Sequence, residues 1–249
     1  MKRLIEIARP RASRYILLLV IARAFQAGIV DAQQPPPHEL GIKYMRDSEE
    51  YATLTRQIYR LAGEAAVKAS AAGGRWAVVL DIDETTLDNS AYQLERAAYS
   101  VPHEEESWRA WVRRREAAAV PGVREFVDVV RGRGGHVGWI TNRDTVLADA
   151  TRANLASLGL WNDDDRLCLQ KNSRDTKAQR RQELIAGQGE CSWPSSPTRV
   201  VVFVGDQMGD FPAAEENIAD TGTDAAFGHT CFLLPNSMYG NWTSRVTRK

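Results

Sequence analysis

The chain has 249 residues, 43% of them apolar and 26% charged, and its 32 Lys+Arg balance 32 Asp+Glu. That length supports a sizeable buried core, in one large domain or two small ones. A mean hydropathy of −0.39 excludes a multi-pass membrane protein. The balanced charge, with seven Trp, seven Tyr and six Phe, argues against a disordered chain and against one that grips a nucleic acid polymer through a basic face.

The charge is uneven at the start. Residues 1–32 carry six basic and two acidic groups, leaving an excess of about four acids in the remainder. A basic head, the apolar run Tyr15–Ala22 and the small-residue site Val30-Asp31-Ala32 have the order of a cleaved secretory signal, so a secreted or periplasmic protein is expected. Arg23 cuts the apolar run to roughly half of the ~20 residues that span a bilayer. No Cys near the site could accept a lipid, and membrane anchoring is not expected. Residues 33–39, with Pro35-Pro36-Pro37, read as a linker into a domain over 40–249.

From Leu40 to about Ala72, the apolar residues Leu40, Tyr44, Tyr51, Leu54, Ile58, Leu61 and Ala65 follow helical spacing, and Gly73-Gly74 stops them. Trp76–Leu80 is a continuous apolar run of strand length that ends in Asp81. Residues 94–120 are charged, carry Trp108 and Trp111, and read as a helical insertion. With 40–72 they are expected to form a small cap. Further on, helices are expected over Val123–Gly132, Thr145–Leu158 and Thr176–Ala186, and strands over His136–Ile140 and Arg199–Val204. Helices alternating with uniformly apolar strands predict an α/β fold, a three-layer Rossmann-like parallel sheet with right-handed crossovers. Cys168, Cys191 and Cys231 lack metal-site spacing and read as small buried hydrophobes. One pair could oxidise outside the cytosol, but spacing does not choose which.

Each of the three strands ends in a polar cluster. In an open parallel sheet, ligands sit at the carboxyl ends of the strands near the point where strand order reverses. Asp81 and Asp83, Thr141 and Asn142, and Asp206 and Asp210 would therefore surround one crevice. Four carboxylates there resist ionising together, and a hard divalent cation with oxygen ligands, Mg²⁺ beside a phosphate, resolves the conflict. Asp81 at a strand tip can attack phosphorus, and Asp83 can protonate the departing alkoxide and then activate water. Thr141 Oγ1 and the backbone amide of Asn142 can bind the phosphoryl oxygens, and a lysine is needed to offset their charge.

These residues resemble a known family. The segments Asp81–Ser90, Thr141-Asn142-Arg143, Lys177 and Gly205–Phe211 are similar to the four motifs of the haloacid dehalogenase superfamily. More narrowly they resemble the class C acid phosphatases, including bacterial outer-membrane lipoprotein 5′-nucleotidases. Lys43–Tyr51, Ser107–Val112, Ala119–Gly122 and Leu234–Trp242 are similar to family segments as well. The resemblance implies that Asp81 is nucleophile and Mg²⁺ ligand, that Asp83 is acid/base and lends its carbonyl to the metal, and that Asp206 is the third protein ligand. It also implies that Asp210 supports the metal, that Thr141 and Asn142 hold the phosphoryl group, and that Lys177, rather than Lys171, is the lysine. Trp108 and Tyr239 fall where relatives present aromatic rings to the substrate's base. The expected protein is a Mg²⁺-dependent acid phosphatase acting on a small phosphomonoester, with nucleoside monophosphates favoured. Phosphoryl transfer to an alcohol acceptor and a weakly active storage or ligand-binding role on the same fold are the alternatives, and an oligomer is left open.

Overall fold

The computed structural model describes residues 37–99, 103–193 and 198–244; the expected signal and most of the expected linker lie outside them. Two helices, α1 (Pro37–Asp47) and α2 (Glu49–Ser70), stand where a single helix over 40–72 was expected, and residues 37–39 of the linker are already helical. Ser48 divides them. Its Oγ accepts the Tyr51 N–H at 3.0 Å and donates to the Tyr44 carbonyl at 2.6 Å, so one side chain ends the first helix and caps the second.

Strand β1 (Trp76–Leu80) leads into a short β2 (Leu87–Asp88), and helices α3 (Ser90–Ala98) and α4 (Glu105–Arg114) follow. A two-residue β3 (Ala118–Ala119) returns to pair antiparallel with β2, so the insertion starts at Ser90 rather than at 94 and is closed by a small ladder. The remaining elements are α5 (Val123–Gly132), β4 (His136–Asp144), α6 (Ala148–Ser157), β5 (Arg166–Gln170), α7 (Lys177–Ala186), β6 (Arg199–Gly205) and β7 (Cys231–Leu233). Residues 145–147 form a separate tight turn before α6, started by the Asp144 side chain accepting the Val146 N–H at 3.0 Å.

The main sheet runs β5-β4-β1-β6-β7 with every pairing parallel. Chain order therefore moves outward from β1 through β4 to β5, then resumes on the other side with β6 and β7. The reversal lies at β1, and the strand tips beside it form the crevice. Alternation along β1 builds both cores: Trp76, Val78 and Leu80 pack with Tyr59, Ala62 and Ala66 of α2 and with the apolar face of α5. Ala77 and Val79 face the opposite layer, with Leu184 of α7, Trp193 and Phe203. Residues 49–70, expected as part of a cap, therefore belong to a layer that covers the sheet, because their buried stripe matches the β1 face rather than the cavity mouth.

Cys168 on β5 and Cys191 beyond α7 form a disulfide with Cα atoms 5.4 Å apart, and Cys231 is free and buried. All three are buried in the apolar layer, as expected, and only Cys231 remains a free thiol. The bridge closes a loop with a sequence separation of 23. Loop-closure entropy for that length is about 3 kcal/mol. Replacing both cysteines with Ser is expected to lower the melting temperature by roughly 10 °C for a domain of this size. Calorimetry of the oxidised protein against the double variant measures it, and equal melting temperatures would show that the bridge does not stabilise the fold.

Candidate active site

The register brings the three polar strand tips level. Leu80 pairs with Trp139 on one side and Val204 on the other, and the Asp81 N–H donates to the Val204 carbonyl at 3.1 Å. One or two residues further on, the three strands carry Asp81, Thr141 and Asp206. Between β1 and β2 the chain doubles back sharply. The Thr86 and Leu87 amides both donate to the Ile82 carbonyl at 2.8 Å, Glu84 adopts φ +58°, and Thr86 Oγ1 donates to the Asp81 carbonyl at 2.6 Å. This curl carries Asp83 back over Asp81.

Asp81, Asp206 and Asp210 are buried, and each offers a carboxylate oxygen within 4.8 Å of the others. Gly205 permits the approach of Asp210, since a Cβ at 205 would lie 2.3 Å from Asp210 Cβ. Asp210 Oδ2 accepts the Asp206 and Gln207 amides at 3.1 and 2.9 Å. Asp206 is held at both oxygens, by Thr85 Oγ1 at 3.1 Å and Asn236 Nδ2 at 2.8 Å. Lys177, the first residue of α7, donates Nζ to Asp81 Oδ1 and, at 2.5 Å, to Asp210 Oδ1. Thr176 places it, with a capping box whose Oγ1 accepts the Gln179 N–H at 3.2 Å.

Electrostatics follow from that packing. Burial raises the Asp81 pKa well above the usual carboxylate value; Lys177 opposes the rise, and Asp210, Asp206 and Asp83 add to it. Burial and then Asp210 push Asp206 up to about 6. Burial depresses the Lys177 ammonium, but Asp81 and Asp210 outweigh it and keep the pKa above that of an ordinary lysine. One ammonium against three carboxylates leaves two formal negative charges. A divalent cation cancels them, and an all-oxygen donor set suits a hard ion. The residues present therefore fit a divalent metal ion.

A cavity of about 620 Å³ opens above this cluster, and Asp81, Asp83, Trp108, Asn142, Lys177 and Tyr239 all line it. Asp206 and Asp210 are buried and lie outside its wall. Thr141 departs from expectation: it is fully buried and off the wall, and its Oγ1 accepts the Arg143 N–H at 3.1 Å. β4 does not stop at Ile140 but runs on to Asp144, and alternation along it buries Thr141 and Arg143 and exposes Asn142, although the long Arg143 side chain still reaches the cavity wall. Arg180 on α7 donates to the Thr141 carbonyl and, at 2.8 Å, to Asn142 Oδ1, leaving the Asn142 amide hydrogens for the cavity.

Several residues that bear on the site carried no sequence signal of their own. Thr85 and Asn236 hold Asp206, Asn89 and Arg143 hold Asp83, and Arg181 donates to the Asp210 carbonyl at 3.1 Å. Arg143 sits inside a segment already singled out, and Thr85 and Asn89 lie inside another, Asp81–Ser90. Asn236 could be found only by family similarity, because no local spacing marks it.

Two solved structures with high similarity are the class C acid phosphatase from Bacillus anthracis and the same protein with tungstate bound. The first is 29% identical with a TM-score of 0.68, and the match covers 82% of this chain and 86% of that one. The second is 28% identical with a TM-score of 0.67 at the same coverage of 82% and 86%. A family model described as HAD superfamily, subfamily IIIB (acid phosphatase), matches residues 22–242. With the strand tips, the lysine and the sheet order all of one type, the chain belongs to subfamily IIIB of the HAD superfamily, the acid phosphatases.

Proposed function

We propose that the chain is a secreted, Mg²⁺-dependent acid phosphatase that hydrolyses nucleoside monophosphates and other phosphomonoesters through a phosphorylated Asp81. Its family makes it a phosphomonoesterase. The observation that carries the finer reading is the pairing of Asp81 and Asp83 in one cavity wall, above a buried acid cluster bridged by Lys177. A relative is known with tungstate bound, a tetrahedral oxyanion of phosphate-like shape, which supports a phosphate-binding role for this chain. Trp108 and Tyr239 in the same wall favour a flat aromatic leaving group, and the signal-like order of residues 1–32 supports export. Among the described residues no helix is long and apolar enough to cross a membrane.

Lys177 holds one oxygen of Asp81, and the other attacks phosphorus as the bond to the ester oxygen breaks. Asp83, protonated, gives its proton to that departing oxygen. A water then adds to phosphorus, passing its proton to the Asp83 carboxylate while the Asp81–phosphorus bond breaks, which releases phosphate and restores both acids. The Asn142 amide donates to phosphoryl oxygens throughout. Asp81, Asp206 and the Asp83 carbonyl, with Asp210 in support, would hold a divalent cation, which would supply positive charge to offset that of the phosphoryl group.

The test is phosphate release from a panel of nucleoside monophosphates, glycerol phosphate and p-nitrophenyl phosphate, before and after chelation. Chelation is expected to lower turnover by at least about 100-fold, and added Mg²⁺ to restore it. Turnover that survives chelation would remove the metal from the reading, and a panel without preference for nucleotides would remove the aromatic selectivity.

A further inference from the structure

The carboxylate of Asp83 is held unevenly. Its Oδ1 accepts from Asn89 Nδ2 at 3.0 Å and from two Arg143 nitrogens, at 2.7 and 3.0 Å, whereas Oδ2 has only a 3.3 Å share of Arg143 Nε. Oδ2 is therefore the oxygen left for proton exchange. Both holding groups are in turn held by one helix. Trp111 of α4 donates its indole N–H to Asn89 Oδ1 at 2.8 Å, which fixes which way the amide points. Trp108, three residues earlier and so on the same helix face, packs against the Arg143 guanidinium, whose central carbon is 5.5 Å from the ring centroid. Thr151 takes another Arg143 nitrogen at 3.1 Å, and Arg109 of α4 pairs with Asp144 at 2.9 Å, fastening the helix to the end of β4.

We infer that α4 positions the acid/base carboxylate: Trp111 acting through Asn89, and Trp108 acting through Arg143, aim Asp83 Oδ2 at the leaving-group oxygen. Trp111, Asn89 and Arg143 are positioning residues; Trp111 and Asn89 lie off the cavity wall, and Arg143 reaches it beside Asp83. The middle of the relay is buried, with Trp111, Asn89 and Arg143 each almost wholly inaccessible, while Trp108 and Asp83 are half-buried at the cavity wall. A hydrogen-bonded network in that setting holds a carboxylate to a narrow range of directions. Misplacement by about 1 Å is enough to cost roughly 100-fold in a proton transfer. The inference rests on the reading of Asp83 as acid/base, and the test separates the two.

Glycerol phosphate departs as an alkoxide that must be protonated, while p-nitrophenyl phosphate departs as a stable phenolate that need not be. kcat/KM, which reports the steps up to phosphorylation, is measured with both esters for the wild type, Asp83→Asn, Trp111→Phe, Arg143→Lys and the double relay variant. Trp111→Phe keeps the ring and removes the N–H; Arg143→Lys keeps the charge and removes the fork. Each relay variant is expected to lose about 10- to 100-fold on glycerol phosphate and less than about 3-fold on p-nitrophenyl phosphate, and the double variant to do no worse than Asp83→Asn. If Asp83→Asn is selective for the alkyl ester but the relay variants lower both esters equally, or neither, the inference is overturned and the acid/base reading stands. If Asp83→Asn itself lowers both equally, the acid/base reading falls, and the inference with it. Should Trp111→Phe not fold, Arg143→Lys, which leaves α4 unaltered, decides alone.

Discussion

Asp81→Asn is expected to reduce phosphate release by at least about 10⁴-fold, the scale at which removal of an enzymatic nucleophile leaves only binding and electrostatic assistance. The substitution is isosteric, so the Lys177 bond to Asp210 at 2.5 Å and the bonds from Thr85 and Asn236 to Asp206 have no reason to change. An amide nitrogen or oxygen does not displace an alkoxide from phosphorus, and the other carboxylates of the cavity wall are already paired, Glu105 and Asp144 with Arg109 and Asp83 with Arg143. Asp83 has its Oδ1 tied to Arg143 and Asn89, which leaves it the proton-exchanging role, and Asp206 is buried outside the wall. The fold should not suffer. Asp81 already has a raised pKa from burial, partly offset by Lys177, and neutralising it relieves repulsion with Asp206 and Asp210. The melting temperature of the metal-free variant should therefore equal or exceed that of the metal-free wild type. The two readouts together, single-turnover phosphate release and calorimetry, make the prediction sharp: residual turnover within tenfold of wild type would falsify the assignment of Asp81 as the group that is phosphorylated.

The features legible in the sequence were those whose physics is local. A buried parallel strand must be apolar on both faces, so Trp76–Leu80 and Arg199–Val204 stand out, and their tips bring Asp81 and Asp206 to one end of the sheet. The strands that escaped notice are those for which this signal fails. β5 begins with Arg166 and ends in Gln170 at the sheet edge, and β7 has only three residues. Ser48 leaves no mark in the sequence pattern for a different reason. Helical periodicity continues across it, and only its bonds to Tyr44 and Tyr51 reveal a break. At the site, residues that touch the cavity could be read from strand ends, whereas those that hold them could not. Asn236 meets Asp206 from 30 positions away, and Arg143 meets Asp83 from 60. Such pairings are set by the tertiary fold, which spacing does not encode. Thr141 is buried because β4 outlasts its apolar run, and alternation then decides which side chain of the Thr-Asn pair is exposed.

Lys177→Met tests the other half of the charge balance. Lys177 bonds both Asp81 and Asp210 and is nearly inaccessible, so its loss leaves three buried carboxylates without that ammonium. Breaking a buried ion pair by removing one partner costs about 3–5 kcal/mol, because the remaining charge is uncompensated. Turnover is expected to fall by at least about 10³-fold, comparable to the loss of a principal electrostatic contact to the phosphoryl group. The stability change has a distinctive dependence on pH. Burial holds the Asp81 pKa above that of an unfolded aspartate, and burial with Asp210 holds Asp206 at about 6. Without the opposing ammonium, Asp81 must rise further. A carboxylate with a raised folded pKa destabilises the protein above that pKa and is relieved as pH falls toward the unfolded value. In the absence of metal, the variant should therefore lose more stability relative to wild type at pH 8 than at pH 5. Saturating Mg²⁺ should recover more of the loss at pH 8 than at pH 5, since a cation and a proton compete for the same oxygens. A melting temperature difference that does not change with pH or Mg²⁺ would mean that the lysine stabilises the fold by packing alone, and that the acid cluster does not carry the charge assigned to it.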